Sequence, residues 1–146
     1  MKLSANIWPV NMLGKIKTLD TNLLIRFFTQ DNPAQADAVE KLLRKAAKDE
    51  LLLPDIIIAE IVWVLLSFYE LEKEEVIEKL EGLFSLENVK MNRNTLKRTI
   101  DLYRRYNISF TDAYLAAYTL EEEKSDQIYS FDRGLDKVKE ITRLKP

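Results

Sequence analysis

The chain contains neither histidine nor cysteine. That double absence removes imidazole general bases, Ser-His-Asp triads, cysteine nucleophiles and ordinary zinc sites, whose ligands are Cys and His. Any chemistry must rest on carboxylates, hydroxyls, Lys, Arg, Tyr or a hard metal ion. Glycine (3) and proline (4) are scarce among 146 residues, so most of the chain is expected in regular elements with short connections. No apolar run approaches the ~18 residues that a membrane span needs. The first fifteen residues, MKLSANIWPVNMLGK, show neither a continuous apolar stretch nor a small-residue cleavage pattern, so no signal peptide is expected. A cytoplasmic protein is the expectation. The net charge of −2 excludes a binder that grips nucleic acid by bulk positive charge.

What is present is ordinary for a globular protein: 47% hydrophobic and 32% charged residues, in a length that suits one domain. Residues 1–15 lack periodicity and read as an N-terminal extension, leaving residues 16–146 as the domain. IKTLD (16–20) reads as a short buried strand, followed by a helix over 21–29. Asp31-Asn32-Pro33 opens a second helix reaching about Lys48, with Asp31 or Asn32 able to cap it and Asp37/Lys41 and Glu40/Arg44 spaced for i, i+4 pairs. LLLP (51–54) is a second strand. After Pro54-Asp55 comes a helix apolar nearly all round, and therefore expected to be buried. An amphipathic helix over 73–84, a strand at 89–91 and a helix over 95–106, capped by Asn92 or Asn94, come next. Ser109 or Thr111 caps the helix that follows. QIYSFD (127–132) reads as a strand, GLDKV begins a short helix, and ITRL (141–144) is an edge strand. Short apolar strands alternating with helices predict an α/β fold: a three-layer α/β/α sandwich around a mainly parallel sheet.

Four of the 24 acidic residues stand inside or just beyond apolar runs, where an unpaired carboxylate is costly. Asp20 ends the first strand, Glu60 is the only charge between Ile56 and Tyr69, Asp112 lies in the first turn of FTDAYLAAYTL, and Asp132 closes IYSF. Each has an ordinary explanation: Asp20 and Asp132 as helix caps, Asp112 as a partner of the helix dipole, Glu60 as half of a buried pair with a base such as Arg26. Asp136 is the alternative to Asp132. Taken together they point elsewhere, because a parallel sheet brings strand ends and helix starts to one edge. Clustered carboxylates repel unless a cation neutralises them, and oxygen-only ligands suit Mg²⁺ or Mn²⁺.

Asp20-Thr21-Asn22, Glu60 within its apolar helix, Ser109-Phe110-Thr111-Asp112 and Ser130-Phe131-Asp132 together resemble the PIN domain family over about residues 16–144. The likeness is greatest to the small VapC-type ribonucleases of toxin–antitoxin pairs, from which the extension over residues 1–15 departs. The resemblance implies that Asp20, Glu60, Asp112 and Asp132 ligate Mg²⁺ or Mn²⁺ directly or through water. It places Asn22 and Ser130 where they orient those acids. It further implies RNA as substrate, 5′-phosphate and 3′-hydroxyl products, a homodimer and an antitoxin protein as partner. Divalent cations can activate water and offset phosphoryl charge without histidine, which fits this composition. Arg26, Lys97, Arg104, Arg105 and Arg133 are the candidates for gripping substrate; Lys97, Asp101, Arg104 and Arg105 share one helix face. Tyr103, Tyr106, Tyr114 and Tyr118 are candidate base-stacking groups, although their helical spacing also suits a core. Two rival readings are a non-catalytic PIN-like RNA-binding or scaffold protein and an unrelated Mg²⁺-dependent α/β phosphatase. Against the second, Asn22 stands where a haloacid-dehalogenase-like enzyme needs its second aspartate.

Overall fold

The structure, a computed structural model, describes residues 15–146, so the expected N-terminal extension lies outside the described residues except for Lys15. Its first strand, β1 (Lys17–Thr18), leads directly into α1 (Thr21–Thr29). Asp20 starts that helix by accepting a hydrogen bond from the Leu23 amide at 3.0 Å, and Gln30 ends it in a left-handed conformation at φ 57°. Helix α2 (Pro33–Lys45) begins at Asn32, whose side chain accepts from the Gln35 amide at 3.1 Å, with Pro33 in the first turn. Its two i, i+4 ion pairs form as the spacing predicts, Asp37–Lys41 at 3.0 Å and Glu40–Arg44 at 2.7 Å.

Strand β2 (Leu51–Leu52) precedes α3 (Asp55–Ser67), and α4 (Lys73–Phe84) opens with a reciprocal capping box between Glu72 and Glu75. After β3 (Val89–Lys90) comes α5 (Arg93–Arg105). Asn92 stands at its cap position but makes no capping bond; its side chain instead donates to Glu122 Oε1 at 2.6 Å. Ser109 caps α6 (Phe110–Glu121), and β4 (Gln127–Tyr129), a 3-10 turn over Arg133–Lys137 and β5 (Thr142–Leu144) complete the chain.

All strand pairs are parallel, and the fold is α/β as expected. Lys17 lies opposite Leu51 and Leu51 opposite Val89, giving the order β1-β2-β3; Gln127 lies opposite Thr142 in a second ladder, β4-β5. Parallel neighbours cannot be joined by a tight turn, which is why a helix or a helical turn intervenes at each step. The strands are only two or three residues long, so little of the stability comes from the ladders. The core lies where Leu51, Leu53 and Val89 of the strand region meet Leu24, Ile58, Leu65, Leu80, Leu96 and Leu102 of the helices.

Three expectations need correction. The first strand is not buried, since Lys17 and Thr18 are both exposed and only Leu19 beyond them enters the core. The strand expected over 127–132 ends at Tyr129, because the chain turns at Phe131 toward the 3-10 turn that Asp132 caps. Helix α3 is not buried all round: Ile58, Ile61, Val62 and Leu65 face the core, while Ile56 is 72% and Trp63 66% exposed. Hydrophobicity around the whole helix hid a one-sided packing at i, i+3, i+4 and i+7 spacing. Glu60 therefore lies on the exposed face, and no burial penalty attaches to its charge.

Candidate metal centre

Asp112 sits in the first turn of α6, where Ser109 Oγ accepts its backbone N–H at 3.1 Å and fixes the start of the helix. Its half-buried carboxyl titrates above the ordinary aspartate value. Partial burial is the main cause; the charge of Asp132 and a hydrogen bond with it add to the effect, and the Ser109 bond opposes it. These two acids, twenty residues apart in sequence, thus share one site.

Asp132 is held from both sides. Its amide donates to Ser130 Oγ at 2.8 Å, and its own Oδ1 accepts from the Gly134 amide at 2.8 Å. Ser130 is anchored in turn by its amide to the Leu144 carbonyl at 3.0 Å. Gly134 closes the site: a β-carbon there would stand 3.0 Å from Asp132 Oδ1 and 3.5 Å from Asp112 Oδ2. Both carboxylates converge on the space that the missing side chain leaves open. The Asp132-Arg133-Gly134 step is the one sequence signal that points to this cradle, and sequence reasoning passed over it.

Asp136 lies in a different setting. Arg143 binds it through two bonds, Nε to Oδ1 at 2.8 Å and Nη2 to Oδ2 at 3.1 Å, which hold its carboxyl below the ordinary range. The same guanidinium reaches the Ser130 carbonyl at 2.9 Å. Asp136 is thus committed to a structural ion pair, whereas Asp132 faces Asp112.

Asp20 and Glu60 do not join the pair closely. Asp20 is exposed and spends one oxygen on its cap, and Glu60 is exposed on α3. Among the described residues no group of three or more acids lies close enough together to hold a metal ion. Beside Asp20, the hydroxyl of Thr21 is buried and makes no hydrogen bond among the described residues. Asn22 is exposed and lines a groove of about 420 Å³ with Arg26, between α1 and α2.

The basic candidates divide into two groups. Arg104 is paired with Glu81, and Arg105 with Asp101 at 2.9 Å and Glu140 at 2.6 Å. Lys97, Arg26 and Arg133 carry no ion pair among the described residues, and Arg133 directly follows Asp132. Three of the four tyrosines are committed elsewhere. Tyr103 is buried edge-on against Phe110, and Tyr106 donates to Glu140 at 2.6 Å. Tyr114 donates to Asp55, and burial together with that bond pushes its hydroxyl well above the usual tyrosine range.

The donor set suits a hard divalent cation. Mg²⁺ is commonly held by one or two carboxylates, with water and substrate phosphate filling the other positions. Two adjacent aspartates, one raised in pKa partly by the other, are the kind of pair that a cation stabilises.

A family model described as PIN domain matches residues 17–141. Among solved structures, this chain is similar to one from the crystal structure of VapBC2 from Rickettsia felis bound to a DNA fragment from their promoter. The two are 14% identical over 89% of this chain and 98% of that one, with a TM-score of 0.36. No curated protein matches the chain.

Proposed function

This chain belongs to the PIN domain family, a family generally of nucleases, and from that premise we propose that it is a Mg²⁺- or Mn²⁺-dependent endoribonuclease. The observation that carries the proposal is the convergence of Asp112 and Asp132 over Gly134. In this reading these two aspartates hold the cation. Asp20 and Glu60 complete the site from the neighbouring strand end and helix, directly or through water.

When bound, the cation supplies water activation and charge neutralisation at phosphorus. The protein's own groups do the rest. Ser130 fixes the backbone of Asp132, and Gly134 leaves room for both carboxylates while orienting one of them. Arg133 and Arg26 hold phosphates flanking the cleaved bond, with Asn22 beside Arg26, and Lys97 extends the basic surface. Arg104 and Arg105 contribute after exchanging their present acidic partners for phosphate.

Two assembly proposals accompany this reading. The chain forms a homodimer, for which the exposed Leu115 and Tyr118 of α6 are candidate contacts. Exposed apolar patches of that kind mark interaction surfaces. It also pairs with an antitoxin protein, as toxin-branch members do. The separation of Asp20 and Glu60 from the aspartate pair favours a second reading, a non-catalytic RNA-binding member of the family.

Cleavage assays separate the two. Pure protein should cut RNA in Mg²⁺ or Mn²⁺ but not in EDTA, and Asp112→Asn should abolish cutting. RNA binding without cutting under any metal would favour the non-catalytic reading.

A further inference from the structure

Just past Tyr129 the ladder between β4 and β5 runs out of backbone donors. The Thr142 amide donates to the Asp126 carbonyl at 2.7 Å, and the Ser130 amide donates to the Leu144 carbonyl at 3.0 Å. Continued at the two-residue period of a parallel pair, the Ser130 carbonyl would take its bond from the amide of residue 146, but Pro146 has no amide proton. Arg143, in the middle of β5, supplies the missing donor: its Nη1 reaches that carbonyl at 2.9 Å. Its Nε and Nη2 hold the two oxygens of Asp136 at 2.8 and 3.1 Å, and the side chain is only 16% exposed. One planar guanidinium therefore ties down two points of the chain, one two residues before Asp132 and one four residues after it.

We infer that Arg143 is a positioning residue of the candidate metal centre: by clamping both ends of the loop that carries Asp132 to β5, it sets where that carboxylate stands against Asp112. The inference rests on the metal-dependent reading of the site and deepens it. The other bonds of Asp132, from its amide to Ser130 Oγ and from the Gly134 amide to its Oδ1, lie within the loop and fix its shape, not its place. The bond from the Ser130 amide to Leu144 pins the near end alone. Asp112 is set separately, by Ser109 at the start of α6, so the alignment of the two carboxylates depends on how the loop is held to the rest of the fold. A guanidinium suits this task because its rigid fork serves two acceptors in fixed directions, which the single ammonium of lysine does not reproduce. Asp136 supplies the far anchor, and an asparagine there would still offer Oδ1 to Nε.

Arg143→Lys and Arg143→Gln test the clamp, since the first keeps the charge and neither keeps the fork. Isothermal titration calorimetry with Mn²⁺ and no RNA measures binding by wild type, both variants and Arg44→Lys, which alters a surface pair on α2. Circular dichroism checks that each protein is folded. Both Arg143 variants should bind Mn²⁺ about 10- to 100-fold more weakly than wild type, and Arg44→Lys should match wild type. Crystals of the metal-free proteins give a readout that needs no cation: in both variants the Asp132 carboxylate should shift by more than about 0.5 Å against Asp112. An unmoved Asp132 overturns the clamp. So does wild-type Mn²⁺ affinity in Arg143→Lys, because charge alone would then be what Arg143 contributes. If wild type itself binds no Mn²⁺ while Asp132 shifts in the variants, the metal-dependent reading falls and the positioning of Asp132 by Arg143 stands.

Discussion

Replacing Gly134 with alanine places a methyl group in the space on which Asp112 and Asp132 converge. The new β-carbon would lie 3.0 Å from Asp132 Oδ1, while ordinary contact begins near 3.4 Å, so that carboxylate must retreat by about 0.4 Å. Asp112 Oδ2, at 3.5 Å, need not move. The fold should hardly notice. Fewer unfolded conformations stabilise the variant by about 0.4–1 kcal/mol, and tilting Asp132 off its rotamer costs about 0.5–1.5 kcal/mol. The two nearly cancel, and Tm should stay within about 4 °C. Function should respond more. Misplacing a reacting group by about 1 Å can cost 100-fold, so a shift of this size should lower kcat/KM about tenfold and raise the metal concentration needed for half-activity. Thermal melts and RNA-cleavage kinetics across a Mg²⁺ titration measure both. Wild-type kinetics with an unchanged metal midpoint would refute the reasoning, because the carboxylates over Gly134 would then not be the site.

Ser130→Ala removes the acceptor for the Asp132 amide at 2.8 Å; urea denaturation should show a loss of about 1 kcal/mol, and kcat/KM should fall about 10- to 100-fold. Asp136→Asn breaks an ion pair that is half-exposed on the acid's side, so stability should change by no more than about 1 kcal/mol while cleavage persists; abolished cleavage would make Asp136, not Asp132, the fourth acid. Asp112 is raised in pKa in the folded state, chiefly by burial and then by Asp132, so its ionisation weakens the metal-free fold as pH rises through that value. Asp112→Asn should therefore melt above wild type in EDTA at neutral pH, with the gap closing below the unfolded aspartate value of about 3.9. Metal should reverse the order: at about 100 times Kd it stabilises wild type by about 2.7 kcal/mol, and it should stabilise the variant less.

The elements with chemical punctuation were the most legible in the sequence. Asp20, the run Asp31-Asn32-Pro33 and the choice of Ser109 or Thr111 mark the starts of α1, α2 and α6, with packing selecting Asn32 and Ser109, and the spacing of Asp37/Lys41 and Glu40/Arg44 gives their ion pairs. Helix α3 was misread because a pattern apolar on every side cannot say which side has neighbours. Its outward face, with Ile56, Glu60 and Trp63, is set by tertiary packing alone. Asn92 had the right residue type for a cap, but its side chain donates instead to Glu122, just past the end of α6. In the site, the alliance of Asp112 with Asp132 follows from their places at a helix start and a strand end. The Arg143 bonds that set Asp136 apart join residues no local motif connects, whereas the Gly134 cradle left a trace in the Asp132-Arg133-Gly134 step.

Crystals grown with Mn²⁺, examined by anomalous diffraction at the metal edge, test the central claim most directly. The account predicts a peak between the Asp112 and Asp132 carboxylates at about 2.1 Å from their oxygens, absent from Asp112→Asn crystals under the same conditions. A peak held by other residues, or none in protein that cuts RNA in Mn²⁺, would contradict it.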